Sequence, residues 1–424
     1  MNTETIDRII ALIKREVVPA IGCTEPAAVS LCVARACETL GTLPESIDVL
    51  LSGNMIKNAM GVGIPGTGMI GLPIAIALGA IVGKSEYGLE VLRDVNPDAL
   101  EKGKKYIDEK RIHVGHFQNP PSNLYVDVTV KADGHTAHAV ISGAHTQFVL
   151  VEHDGEKLFE FIPDTSSAAS DDVQLNENTV YDFAVNAPLD KIRFILEAGT
   201  MNKRAAEVAL SGTYGHSLGS VIRHHGISIF GDTPIAHMLS LTSAACDARM
   251  GGAPIAVMSN SGSGNQGITA TLPVVSYAEE IHASEEQLIR ALTLSSLTSI
   301  YIKQSLGRLS ALCGCVVAST GASAGLVLLM GGGFEQVCAA IKNMVANVTG
   351  MICDGAKPSC AMKITSGVSS AMMSAMLAMN GKCVTSAEGI VCDDIDATIH
   401  NLTSIGREAM NETDHAVLNM MVEK

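Results

Sequence analysis

The chain has 424 residues, 47% hydrophobic and only 17% charged, with no Trp and 4% aromatics, so its core must be built from Ala, Val, Ile, Leu and Met. A net charge of −15 argues against a nucleic-acid partner, which would want a basic face. The first residues, MNTETIDRII, lack the layout of a signal peptide, and the 11 Cys are therefore expected in a reducing, cytoplasmic setting rather than in disulfides.

Ile6, Ile9, Ile10, Ile13 and Val17 recur at helical spacing. The string AIGCTEP breaks that helix, and Thr24 with Pro26 opens a second one running to about Leu40, with Gly41 as its stop. Cys23 thus precedes a helix N-terminus, a place that favours the thiolate. SIDVLLS, 46–52, reads as a strand, and the Gly-rich segment after it as a loop turning helical through about Ala80. A charged helix is expected over 97–110. After it RIHVGHF, LYVDVTVK, HTAHAVIS, FVLVEHD and KLFEFI alternate with period two, and Asp133-Gly134 and Asp154-Gly155 are hairpin turns between them. From about 178 helical patterns dominate, at about 235–249, 283–309, 334–348, 364–380 and 394–410. The fold expected is α+β: a mainly helical C-terminal bundle, with a smaller α/β domain containing an antiparallel β-meander. The boundaries are 1–85 for an N-terminal segment packing on the catalytic half, 86–175 for the small domain and 176–424 for the helical domain.

Asn58–Gly83 and Leu309–Phe334 are each 26 residues without a charge. Length alone would make them membrane spans. The first is broken by Pro65, Pro73 and many Gly, the second is rich in Gly, Ser, Thr and Cys, and neither has aromatic belts or a flanking basic cluster. Buried segments of a protein without membrane contact are the better reading.

Most of the cysteines read as small apolar core residues, Cys32, Cys37, Cys246 and Cys338 among them. LSALCGC, 309–315, and GMICDGAKPSC, 350–360, are different. Cys353 and Cys360 flank a polar, Gly- and Pro-broken string that reads as a loop. With Cys313 they match no common zinc pattern and no compact ferredoxin run, and leave a three-thiolate site with a fourth ligand from elsewhere or a vacancy. SNSGSGNQG, 259–267, could form an anion-binding nest or be a plain connector; it is not a P-loop. Lys57, Lys357 and Lys363 lie in low-charge surroundings, where a Lys can pair a substrate carboxylate, bind pyridoxal phosphate, act as a base, or simply be solvated. His113/His116 and His135/His138, three apart in strands, point to opposite faces, so neither pair is a metal site.

GCTEPAA at 22–28, SGN-x-x-KNA at 52–59, IPGTG at 64–68, SGSGNQG at 261–267 and MICDGAKPSCAMK at 351–363 together resemble the L-cysteine desulfidase family, related to the iron–sulfur L-serine dehydratase alpha chain. The resemblance spans about 5–410. It implies a [4Fe-4S] cluster, no pyridoxal phosphate, and β-elimination from a small amino acid: L-cysteine to sulfide, ammonia and pyruvate, or L-serine to ammonia and pyruvate. The desulfidase pattern implies cluster ligands at Cys23, Cys313 and Cys353, the serine dehydratase pattern at Cys313, Cys353 and Cys360, and Cys315 could replace Cys313. The Ser/His-rich string and the C-terminal Cys of serine dehydratases have no counterpart here, which favours cysteine. A substrate carboxylate is expected on Ser261, Ser263, Gly264, Asn265 and Gln266. Lys57 and Lys357 are the candidates for the base, with His216 behind them. A non-catalytic amino-acid binding protein is the alternative from another class, and a homo-oligomer is expected.

Overall fold

The computed structural model describes residues 1–162, 173–224, 227–307 and 310–423. Helix α1 (Thr3–Glu16) is capped by Asn2, whose side chain accepts the Thr5 N–H at 2.8 Å, and buries Ile9, Leu12 and Ile13. Strand β1 (Pro19–Ile21) follows, a short element hidden in the AIGCTEP break; it pairs antiparallel with a strand more than 200 residues away. Helix α2 (Thr24–Leu40) takes Cys23 as its N-cap and stops at Gly41 with φ +79°.

β2 (Ser46–Leu51), α3 (Gly53–Ala59), α4 (Leu72–Ile81) and α5 (Pro97–Asp108) come next, then β3 (Ile112–His116), β4 (Tyr125–Ala132), β5 (His135–Ser142), β6 (Phe148–His153) and β7 (Glu156–Glu160). The segment 53–59, expected as loop, is helical, and Lys57 and Asn58 are buried on it. The sheet order is β3-β2-β4-β5-β6-β7. β4 to β7 form the antiparallel meander, whereas β3 runs parallel to β2. A parallel neighbour needs a crossover, and α4 and α5 lie between β2 and β3 in sequence. β2 is thus an inner strand of the same sheet, antiparallel to β4 on its other side. Both Asp-Gly turns have φ > 0 at their two central residues (Asp133 +51°, Gly134 +80°, Asp154 +49°, Gly155 +82°), the geometry that matches strand twist. Ile47, Val49, Val126, Val128, Ala137, Ala139 and Ile141 face α2, and Cys32 packs there with its thiol on the Ala139 carbonyl at 3.2 Å. His138 and His135 serve different neighbours: His138 bonds Asp127 at 2.9 Å and Glu152 at 3.1 Å, His135 bonds Asp154 at 2.6 Å.

The helical half contains α6 (Glu177–Asn186), α7 (Leu196–Leu210), α8 (Pro234–Met250), β8 (Ala256–Met258), α9 (Gly264–Glu280), α10 (Glu285–Leu306), α11 (Gly314–Leu329), α12 (Phe334–Val348), α13 (Cys360–Met379), α14 (Ile395–Ser404) and α15 (Asn411–Val422), with shorter turns between them. β8 is the partner of β1. The fold class is α+β, with a helical C-terminal half, as composition and periodicity predict. The charge-free run after 309 is α11, and its reason is close packing. A Cβ on Gly321 would lie 2.2 Å from Ser299 Oγ and 2.3 Å from the Ser295 carbonyl of α10, so the two helices meet backbone to side chain. Among the described residues no helix is long and apolar enough to cross a membrane. Of the adjacent histidines His224 and His225, beside Arg223 on an expected helix, His225 lies outside the described residues.

Candidate functional site

Four helices start at one cavity: α2 at Thr24, α9 at Gly264, α11 at Gly314 and α13 at Cys360. Each N-terminus carries N–H groups without an intrahelical acceptor and a partial positive charge. Arg249, Lys303 and Lys363 line the same space.

Cys313 and Cys353 are fixed by a single antiparallel bridge between Leu312 and Ile352. Cys313 N–H donates to the Met351 carbonyl at 3.0 Å, and Cys353 N–H to the Ala311 carbonyl at 2.6 Å. Flanking one bridge on opposite strands, the two cysteines share a face in the diagonal relation, about 7–8 Å apart at Cα. Both are free thiols. Cys313 is the N-cap of α11 and makes no side-chain cap bond, so its thiol is not spent on the helix. Cys360, expected in a loop, is the first residue of α13; its thiol contacts the Gly355 carbonyl at 3.6 Å. Burial pushes the Cys313 thiol well up, and Cys315, Cys353 and Cys360 beside it push the same way. Burial and Cys353 also raise Cys360. Thiols that raise one another in a dry site are relieved by a cation, which takes the thiolate form. Among the described residues no three of the site's ligand atoms fall within 4.8 Å of one another; the one such group is His135, His153 and Asp154, on the sheet.

Cys315 is occupied elsewhere. Its thiol donates to the Lys363 carbonyl at 3.1 Å, and burial pushes it to about 12.

Cys23 lines the cavity from another wall. Its thiol donates to Glu25 Oε2 at 2.8 Å, and the Thr24 hydroxyl donates to the same oxygen at 3.1 Å. The charged neighbours of Cys23 are Glu25 and Arg249, and burial raises it well above the ordinary thiol range. Glu25 Oε1 lies 4.0 Å from Nε2 of His145, which reaches in from the β5–β6 loop of the sheet. Arg249 donates from Nε to the Gly22 carbonyl at 3.1 Å, linking α8 to the Cys23 turn.

The 259–267 segment is a turn followed by a helix start. Ser261 (φ +50°) and Gly262 (φ +81°) form a two-residue hairpin closed by the Asn260–Ser263 bridge. Ser263 caps α9 by accepting the Gln266 N–H at 3.3 Å. The Ser261 N–H donates to the Glu16 carbonyl of α1 at 2.9 Å, and those of Ser263, Gln266 and Gly267 are used within the turn and helix start. Those of Gly262, Gly264 and Asn265 have no acceptor among the described residues. The Gln266 side chain ties the loop to itself through the Asn260 carbonyl at 3.3 Å.

Two predicted catalytic residues lie elsewhere. Lys57 is 1% exposed, pairs with Asp414 of α15 and lines a separate hollow with His116 and Asn119. Lys357 donates to the Asp354 and Gly355 carbonyls, at 2.8 and 3.4 Å, within its own loop. Neither lines the cavity. Against the cost of its burial, Lys357 and Lys363 hold Asp354 at about 2. Glu25, His145, Arg249 and Lys303 are the lining residues that the motifs did not single out. Arg249 follows the uncharged stretch SLTSAAC of α8, with Asp247 between them, so no simple sequence signal marked it.

A family profile described as serine dehydratase alpha chain matches residues 86–419. A Bacteroides fragilis protein is 61% identical over 419 residues, 98% of both chains. A Porphyromonas gingivalis protein is 55% identical over 432 residues, the whole of both chains, and one from Shewanella halifaxensis is 45% identical over 426 residues, 97% of both. All three carry the name UPF0597 protein, which states no activity.

Proposed function

Since the chain belongs to the serine dehydratase alpha chain family, a family of lyase-type enzymes, we propose that it is an iron–sulfur-dependent lyase that eliminates the β-substituent of a small amino acid, L-cysteine in the first place. The observation that carries the reading is the convergence of Cys313, Cys353 and Cys360 on a cavity ringed by helix N-termini. These three thiols would hold a [4Fe-4S] cluster, with Cys23 outside the ligand set because its neighbours are Glu25 and Arg249. Bound there, the cluster would supply an iron without a protein thiolate, a Lewis acid for the leaving sulfur or oxygen.

The chain's own residues account for the rest. The free N–H groups of Gly262, Gly264 and Asn265 and the N-terminus of α9 take the substrate carboxylate. Elimination removes the Cα proton and breaks the bond from Cβ to sulfur. The enamine left behind takes up water and gives pyruvate and ammonia. Cys23, whose thiol donates to Glu25 at 2.8 Å, would take up the Cα proton as its own passes to Glu25, and the β-sulfur leaves as hydrosulfide.

L-serine is the second reading, and the family description favours it. Cysteine is preferred here because thiolate leaves more readily than hydroxide: its conjugate acid has a pKa of about 8.5 against about 15.7 for water. The test is anaerobic reconstitution with iron and sulfide, then kcat/KM for both amino acids from pyruvate release. A higher value for L-cysteine is expected. A clear preference for L-serine moves the assignment to dehydratase, and no pyruvate from either rejects it.

A further inference from the structure

Glu25 is the one carboxylate among the described residues that line the cavity, against Arg249, Lys303 and Lys363. It is 8% exposed. Its ion-pair neighbour among the described residues is a histidine, His145, at 4.0 Å. A buried carboxylate whose ion-pair neighbour stands 4.0 Å away is costly, and the cost is relieved when a cation comes closer. The surroundings fix its orientation. Oε2 accepts from Cys23 Sγ and Thr24 Oγ1, and Thr24 Oγ1 also touches the Gly262 carbonyl at 3.3 Å. Through Thr24 the carboxylate is thus tied to the turn that precedes α9. Oε1 is left on the side of His145.

From this geometry we infer that Glu25 is the receptor for the α-ammonium of the substrate, and that the cavity selects zwitterionic α-amino acids over carboxylic acids of the same length. The inference rests on the amino-acid lyase reading above. A molecule bearing an anion and a cation on one carbon matches a site with helix N–H groups on one side and a lone carboxylate on the other. The Thr24 to Gly262 contact sets the distance between the two ends. Glu25 lies before residue 86, outside the stretch that the family profile matches, so this recognition belongs to the N-terminal segment.

The test compares two ligands on reconstituted holoenzyme by calorimetry: L-alanine, which has both charges, and propionate, which lacks the ammonium. Glu25→Gln keeps the shape and the hydrogen bonds from Cys23 and Thr24 while removing the charge. Loss of a charge-assisted hydrogen bond should weaken L-alanine about tenfold to a hundredfold and leave propionate within about twofold. Glu25→Asp, which keeps the charge, should restore part of the L-alanine affinity, a recovery that a structural role alone would not give. Equal weakening of both ligands, or L-alanine affinity unchanged in Glu25→Gln, overturns the inference. If the wild type releases pyruvate from cysteine while Glu25→Gln binds L-alanine normally, this inference alone falls. If the wild type neither releases pyruvate nor binds L-alanine, the lyase reading falls with it.

Discussion

Lys57 and Asp414 form an ion pair that joins helix α3 to the C-terminal helix α15, with the ammonium 1% exposed and the carboxylate 18% exposed. The same lysine presents its carbonyl to Gly355, where a Cβ would sit 2.1 Å from the oxygen. Lys57 therefore acts on the loop between Cys353 and Cys360 through its backbone, while its charge holds the C-terminus down. Asp414→Ala leaves a buried ammonium unpaired and should cost about 3 kcal/mol, the low end for a broken buried pair because one partner is partly wet. The double variant Lys57→Met, Asp414→Leu should recover much of that. Denaturant midpoints of the three proteins check both statements.

Gly355 has φ +91°, a conformation that L side chains rarely adopt, besides the close approach to Lys57. Gly355→Ala should displace the loop that carries Cys353 and Cys360. The expected result is a folded protein, by circular dichroism, that binds much less iron on reconstitution. Wild-type iron content in this variant would mean the loop does not need its observed path.

Cys315 lies two residues from Cys313 and lines the same cavity, but its thiol is bonded to the Lys363 carbonyl and packs against Gly367. Cys315→Ser should keep the cluster absorbance, whereas Cys313→Ser should lose it. The comparison reads directly which of the two is a ligand.

Glu177 is fully buried, with one oxygen accepting from Thr298 at 3.0 Å and the other without a partner. Burial pushes it to about 8, the Thr298 bond opposes that, and nearby Asp396 adds to it. Its folded pKa is thus raised above the ordinary 4.5. Its contribution is fully present below pH 4.5 and is lost as pH rises through about 8. Stability should fall with pH across that window by up to about 1.4 kcal/mol per unit. Glu177→Gln should flatten the slope, as denaturation curves between pH 5 and pH 8 would show.

Much of the fold was legible because the signals were local. LYVDVTVK alternates strictly, HTAHAVIS alternates up to Ala139, and two Asp-Gly pairs mark the turns, so the meander could be read from the sequence. The parallel pairing of β2 with β3 could not, because it depends on where a crossover returns. β1 was hidden for a similar reason: three residues gain strand character only by pairing with β8. In the site, the cysteines stood out because two polar-loop thiols are poorly explained by packing. Glu25 was written in the GCTEP string, but its meaning depends on His145, Arg249 and Gly262 from three distant segments. Lys57 misled because a charge in an apolar stretch looks functional, and only the fold reveals that Asp414 answers it.

The central claim is that Cys313, Cys353 and Cys360 hold a four-iron cluster on which activity depends. The most direct measurement is iron and sulfide per chain after anaerobic reconstitution, in the wild type and in Cys353→Ala, Cys360→Ala and Cys23→Ala. The account predicts about four irons and four sulfides per chain in the wild type, near-total loss in Cys353→Ala and Cys360→Ala, and retention in Cys23→Ala. Full iron content in Cys353→Ala, or pyruvate release undiminished in iron-free protein, would contradict it.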